Sequence, residues 1–214
     1  MPRSRSPATL RIAGLVGASR VNGPGRRIVV WVQGCTLGCP ACFNPQTHAG
    51  GGVVETLDRV AARILESRGP STDGLTFSGG EPFQQAPALA QVCDRVRSAW
   101  PDVSIMAFSG YTLEELRGPV TTPTPSVPPA GAAALLAHLD ALVDGRFEVQ
   151  SPSVRPWRAS ANQRLWILGR RPAQLDQATQ IGGTAEVHVE PDGSVLLSGF
   201  PDPALRRAIR DLGR

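Results

Sequence analysis

Three cysteines, Cys35, Cys39 and Cys42, stand in the run GCTLGCPACFN with the spacing C-x3-C-x2-C. One short loop brings three thiolates to a point and offers no local fourth. A cubane iron-sulfur cluster held there keeps one iron free of protein ligands, and an open iron is a place for chemistry. The same thiols make a Cys3His zinc set if His48 is the fourth ligand. That reading leaves a second motif, SGGEPF at 78–83, without a purpose. The remaining cysteine, Cys93, lies at helical spacing with Leu89, Val92, Val96 and Trp100 and reads as a small core residue.

The elements that position these residues follow from periodicity. Apolar runs alternate with helical patterns, as in parallel β/α units. Strands are predicted at Ile28 to Gln33, Leu75 to Ser78, Val103 to Phe108, Leu139 to Asp144 and Arg164 to Leu168. Leu57, Val60, Ala61, Ile64 and Leu65 mark a helix that Gly69-Pro70 stops, and a second helix carries Cys93. Thr112 with Glu115 reads as a capping box opening a short helix. Pro119 to Pro129 holds five prolines and reads as an exposed loop before a helix ending near His138. In the tail, Ala185 to Glu190 and Val195 to Ser198 flank the turn Pro191-Asp192-Gly193, which predicts a β-hairpin. Asp202-Pro203 then caps a last helix with Leu205, Ala208, Ile209 and Leu212 on one side and Gly213 at its end. The cysteine loop follows the strand IVVWVQ directly. It therefore belongs at the C-terminal end of a parallel strand, where β/α enzymes place their sites.

Composition limits the alternatives. A chain of 214 residues with 41% hydrophobic content can bury one core and is not disordered. The N-terminal LRIAGLVGA is interrupted by Arg11 and reads as neither a membrane span nor a signal peptide. Clustered rather than paired cysteines suit a reducing compartment, so a cytoplasmic location away from membranes is expected. All 22 basic residues are arginine and the net charge is +4, but they are scattered, and a nucleic-acid partner is not required.

Several segments together resemble a known family: NGPGRR (22–27), GCTLGCPACFNPQTH (34–48), SGGEPF (78–83), SGYTLEEL (109–116), VDGRF (143–147) and WRASANQ (157–163). In this order they are similar to radical S-adenosylmethionine enzymes. Within that group they resemble the activating proteins of glycyl radical enzymes, those of anaerobic ribonucleotide reductase in particular. The resemblance implies a 4Fe-4S cluster on Cys35, Cys39 and Cys42 whose unique iron chelates the amino and carboxylate groups of S-adenosylmethionine. Reductive cleavage of the C5′-S bond then gives methionine and a 5′-deoxyadenosyl radical, which takes hydrogen from a glycine of the partner enzyme. Very low cluster potentials, down to about -700 mV across cluster types, suit that reduction. A flavodoxin- or ferredoxin-type donor is implied as the electron source.

Residue roles carried by the resemblance are these. The backbone of Gly79 and Gly80, with Glu81, meets the methionine amino group, and glycine admits close approach. Phe43 packs on the adenine, Ala41 is counted among the cofactor contacts, and Ser109 reaches the ribose. Asp144 and Arg146, a D-x-R in place of the related Asp-x-Lys, hold the carboxylate end; arginine keeps the charge and grips bidentately. Arg26, Arg27, Asn162 and Gln163 fall in matching motifs without a derivable role, and His48, His138 and His188 form no constellation.

The expected fold is α/β, an incomplete parallel (β/α) barrel of five or six units of the radical SAM type. Residues 1–214 are expected to make a single domain, with its core at 22–168 and a C-terminal hairpin and helix as an extension at 169–214. Two departures from the family pattern stand out, the long tail after WRASANQ and Ala159 in place of a usual glycine. A small-molecule radical enzyme similar to 7-carboxy-7-deazaguanine synthase is the alternative activity, and a non-catalytic iron-sulfur or zinc module is the alternative from another class.

Overall fold

The computed structural model describes residues 8–118, 128–169, 185–189, 195–201, 204, 205, 207 and 208. Among them, the strands in chain order are β1 (Thr9–Ser19), β2 (Arg27–Val32), β3 (Val53–Thr56), β4 (Gly74–Gly79), β5 (Ser104–Phe108), β6 (Ala141–Asp144), β7 (Arg164–Ile167), β8 (Ala185–Val189) and β9 (Val195–Gly199). The helices are α1 (Leu57–Glu66), α2 (Ala86–Ala99), α3 (Leu113–Arg117) and α4 (Ala132–Leu136). No helix among the described residues is long and apolar enough to cross a membrane.

Seven strands form one open sheet in the order β3-β1-β2-β4-β5-β6-β7. β2, β4, β5 and β6 are parallel and lie side by side in the order they occur in the chain. When every step moves the same way across a sheet and each crossover is right-handed, all the connecting helices fall on one face. The alternation of side chains matches this. Ile28, Val30, Val32, Leu75, Phe77, Ile105, Ala107 and Leu142 join Val60, Ile64, Leu89, Val92, Cys93, Val96 and Leu135 in the main core. Burying each such aliphatic side chain contributes roughly 1.5–3 kcal/mol. Cys93 is fully buried in α2, and burial pushes its thiol up to about 12.

Among the described residues, none of α1 to α4 contributes to the clusters on the opposite face of the sheet. That face carries Val29 and Trp31 with Val16, and separately Met106, Ala141 and Val143 with Phe108, Trp157 and Leu165. The antiparallel pair β8–β9 covers part of it, with Leu196 packed on Val16, Val29 and Trp31. Glu186 accepts from Arg20 N at 2.8 Å, and Asn22 Nδ2 donates to both Ser198 and Ser19, the latter at 2.8 Å.

Three expectations change. LRIAGLVGA is β1, antiparallel to β2 and β3, its periodicity interrupted by register shifts between Ile12 and Gly14 and between Val16 and Ser19. Arg164–Ile167 is a strand, but it runs antiparallel to β6, because no crossover helix lies in residues 145–163 to carry the chain back. Among the described residues the parallel part consequently has four strands, against the five or six units expected. Most of the proline-rich loop, the turn at 191–193 and the helix residues Asp202, Pro203, Ile209, Leu212 and Gly213 lie outside the described residues.

Candidate functional site

The cysteine loop begins where β2 ends. Gly34 N donates to Thr47 O at 2.8 Å and Cys35 N to His48 O at 3.3 Å, so the start of the loop is tied to its far side. Gln33 Nε2 reinforces the tie through Gln46 O and Ala49 O. Gln84 clamps Thr36 from the neighbouring segment, accepting from its N at 3.1 Å and donating to its hydroxyl at 2.7 Å. Cys35, Cys39 and Cys42 are partly exposed and line one pocket, with His48 beside them. Burial pushes the Cys35 thiol up and a backbone hydrogen bond from Leu37 opposes this; Glu81 and the other two thiols push it further up. Three thiols that repel one another as thiolates fit a cationic iron centre, which relieves that repulsion. Among the described residues no three His, Cys, Asp or Glu side chains converge closely enough for one metal ion. Ala41, between the second and third cysteines, takes a left-handed conformation with φ 54° and is not among the pocket-lining residues.

SGGEPF lies at the end of β4, directly against the start of the cysteine loop. Gly80 N donates to Val32 O at 2.8 Å and Glu81 N to Gly34 O at 2.9 Å. A Cβ on Gly80 would stand 2.3 Å from Gly34 O, and one on Gly79, whose φ is 98°, 2.7 Å from Val32 O. These glycines line the pocket, but the close approach that requires them is of one protein segment to another.

Glu81 is 1% exposed, and its carboxylate gathers three donors. Oε1 accepts from Phe83 N at 3.0 Å and Ser109 Oγ at 2.9 Å; Oε2 accepts from Gly110 N at 2.8 Å. Burial pushes this carboxyl up to about 7 against the pull of those hydrogen bonds and of Arg146. Ser109, also lining the pocket, is thereby fixed at the end of β5.

Asp144 and Arg146 are not brought into this pocket with the others. Asp144 is fully buried, accepts from Leu113 N at 2.7 Å and is gripped by Arg164 at 3.1 and 2.6 Å; Arg164 also holds Glu114 at 3.0 and 2.5 Å. Arg146 spans the two Glu115 oxygens at 3.1 and 2.9 Å and donates to Gly110 O at 3.2 Å. Both charges of the D-x-R pair have protein partners on α3 and β7, through which they brace the ends of β5 and β6, and Arg146 lies near enough to Glu81 to favour its charged form. Nor is the Thr112 and Glu115 capping box isolated, since its Glu115 is the partner of Arg146.

Residues without a derivable role in sequence acquire one. Arg27 is 1% exposed and stitches β2, β4 and β5 together, donating to Leu75 O at 2.7 Å, Ser104 O at 2.9 Å and Thr76 Oγ1 at 2.7 Å; burial lowers it to about 10. Arg26 closes the turn near Asp73 through its backbone N. Asn162 and Gln163 donate to the carbonyls of Arg146 and Gly145, shaping the loop that brings Gly145 and Phe147 to the pocket. Sequence reasoning missed Phe108, Phe147 and Phe200, which line the pocket with Phe43. Only Phe147 lies inside a quoted motif, and no local pattern connects the four.

Comparison with known proteins bears on the family of the chain. A family model described as a 4Fe-4S single cluster domain matches residues 21–166. Three relatives carry the name anaerobic ribonucleoside-triphosphate reductase-activating protein. That of Vibrio cholerae is 35% identical over 67% of this chain and 88% of its own length. That of Enterobacteria phage T4 is 30% identical over 68% and 86%, and that of Escherichia coli K12 30% over 67% and 89%. Among solved structures, QueE from Escherichia coli superposes with a TM-score of 0.42 at 14% identity, over 66% of this chain and 73% of that one. With a cysteine loop of the right spacing, a matched domain spanning most of the chain and relatives aligned over nearly their whole length, the chain belongs to the family of anaerobic ribonucleoside-triphosphate reductase-activating proteins built on a 4Fe-4S single cluster domain.

Proposed function

We propose that this chain is a radical S-adenosylmethionine activase that generates a glycyl radical on a partner enzyme, an anaerobic ribonucleoside-triphosphate reductase. One observation carries the reading: the cysteine loop, the SGGEPF turn and Ser109 converge on one pocket at the C-terminal end of the parallel strands. Cys35, Cys39 and Cys42 are the ligands in this reading. When bound and reduced, a 4Fe-4S cluster supplies the electron that cleaves the sulfonium of S-adenosylmethionine.

The chain's own groups provide binding and orientation. Glu81 offers a buried carboxylate to the cofactor's ammonium group, and Ser109 and Gly110 hold that carboxylate in place. A cation drawn to Glu81 favours its charged form, so binding releases the proton that burial retains up to about pH 7. Phe43, beside the third thiol, packs on the adenine of the cofactor in this reading. The open end of the strands is the entry for a glycine-bearing loop of the reductase, and a flavodoxin- or ferredoxin-type protein is the donor. The protein acts as one domain in the cytoplasm, with its sheet as the wall of a partial barrel.

The reading is tested by anaerobic reconstitution followed by reduction with S-adenosylmethionine. About four irons per chain and formation of methionine and 5′-deoxyadenosine are expected, both lost in Cys39→Ala and retained in Cys93→Ala. Cofactor cleavage that survives Cys39→Ala would refute it.

A further inference from the structure

Four of the six phenylalanines of the chain line the candidate pocket, and they arrive from four separate segments: Phe43 from the cysteine loop, Phe108 from the end of β5, Phe147 from the loop after β6 and Phe200 from the residue after β9. Their rings touch in sequence. Phe43 meets Phe147 edge-on at 4.8 Å between centroids and Phe200 at 6.1 Å, and Phe200 meets Phe108 at 5.7 Å. In a chain that is only 5% aromatic, this concentration is a built wall. Its last member lies beyond residues 21–166, which the family model matches, and belongs to the tail.

We infer that the tail is part of the ligand site: Phe200, delivered by β9, completes an aromatic wall that receives the flat base of a purine nucleoside. The assignment rests on the activase reading of the pocket. The lining combines two chemistries: Glu81, Ser109 and the thiols offer polar and charged partners, whereas the phenylalanine rings offer apolar π faces and no hydrogen-bond donor for a carboxylate. A nucleobase presents a π face that packs on aromatic rings without needing a charge partner. The tail is anchored to deliver this ring. Leu196 is packed on Val16, Val29 and Trp31, Ser198 takes the Asn22 amide, and Phe200 follows Gly199, whose φ of 95° turns the chain at the end of β9.

The test compares equilibrium binding of S-adenosylmethionine, 5′-deoxyadenosine and L-methionine to the reconstituted full chain, read by dialysis, with iron content and circular dichroism as checks on folding. Phe200→Ala is expected to weaken both adenosine-containing ligands about tenfold, the loss of one stacked ring, and to leave L-methionine unchanged. Phe200→Tyr is expected to bind like the native chain. Val187→Ala, on the exposed side of β8, should change nothing. Undiminished binding of S-adenosylmethionine to Phe200→Ala, or an equal loss for L-methionine, would overturn the inference and leave the activase reading intact. Failure of the native chain to bind S-adenosylmethionine at all would sink both.

Discussion

Ser109 donates its hydroxyl proton to Glu81 Oε1 at 2.9 Å, joining the ends of two adjacent parallel strands beside the cysteine loop. The bond links β4 to β5 at the position where a ligand entering from the strand ends would meet them. It also makes the carboxyl of Glu81, buried and held by backbone donors, the most consequential titrating group of the site.

Glu81 keeps its proton up to about pH 7 in the folded protein, against 4.5 ordinarily. Between those values the folded state binds the extra proton, so stability falls as pH rises through the window, by up to about 3 kcal/mol. Urea unfolding of the metal-free, reduced protein at pH 5 and pH 8 should show this loss. In Glu81→Gln the slope should flatten, while its amide nitrogen, unable to accept from Gly110 N, costs about 1 kcal/mol at pH 5. The same slope in both proteins would place the titration elsewhere.

Asp144 and Arg164 form the second relationship with a measurable cost. Arg164→Ala leaves a fully buried carboxylate without its cation and should destabilise by about 3–5 kcal/mol. Asp144→Ala leaves Arg164 partly exposed with Glu114 as a partner and should cost less, about 1–3 kcal/mol. Thermal unfolding that ranks Asp144→Ala above Arg164→Ala would contradict the bracing role.

Gly80→Ala is expected to disturb the cysteine loop before it disturbs a ligand. Its new methyl group meets the Gly34 carbonyl, and backbone must move to admit it. Iron incorporation should therefore fall along with cofactor binding. A variant with full iron content and no cofactor affinity would restore a direct contact as the reason for this glycine.

Ala41→Gly should stabilise the protein by up to about 1 kcal/mol, because the left-handed φ of 54° carries a Cβ penalty that glycine lacks. Chemical denaturation is sufficient to check it, and a loss of stability would mean that the methyl group packs productively.

The parallel strands and the two long helices were legible because their buried faces repeat at periods of 2 and 3.6. β1 was hidden by its own irregularity: register shifts beside Gly14 and before Ser19 break the alternation that marks a strand. The direction of β7 was not legible at all, since a period of 2 reads the same in both senses. At the site, the thiols are consecutive in one loop and announce themselves. The ion pairs of Asp144 and Arg146 were not legible for a physical reason: their partners, Arg164 and Glu115, are distant in the chain, so D-x-R shows no partner in sequence. The phenylalanines at 43, 108, 147 and 200 meet only through the fold, and no spacing connects them.

The account is tested most directly by electron paramagnetic resonance of the reconstituted, reduced protein mixed with S-adenosylmethionine and an anaerobic ribonucleoside-triphosphate reductase encoded beside it. A glycine-centred doublet is expected, growing in proportion to 5′-deoxyadenosine and absent with Cys42→Ala. Sustained cofactor cleavage with no doublet on any co-encoded glycyl radical enzyme, accompanied by turnover of a small nucleobase-like molecule, would contradict it.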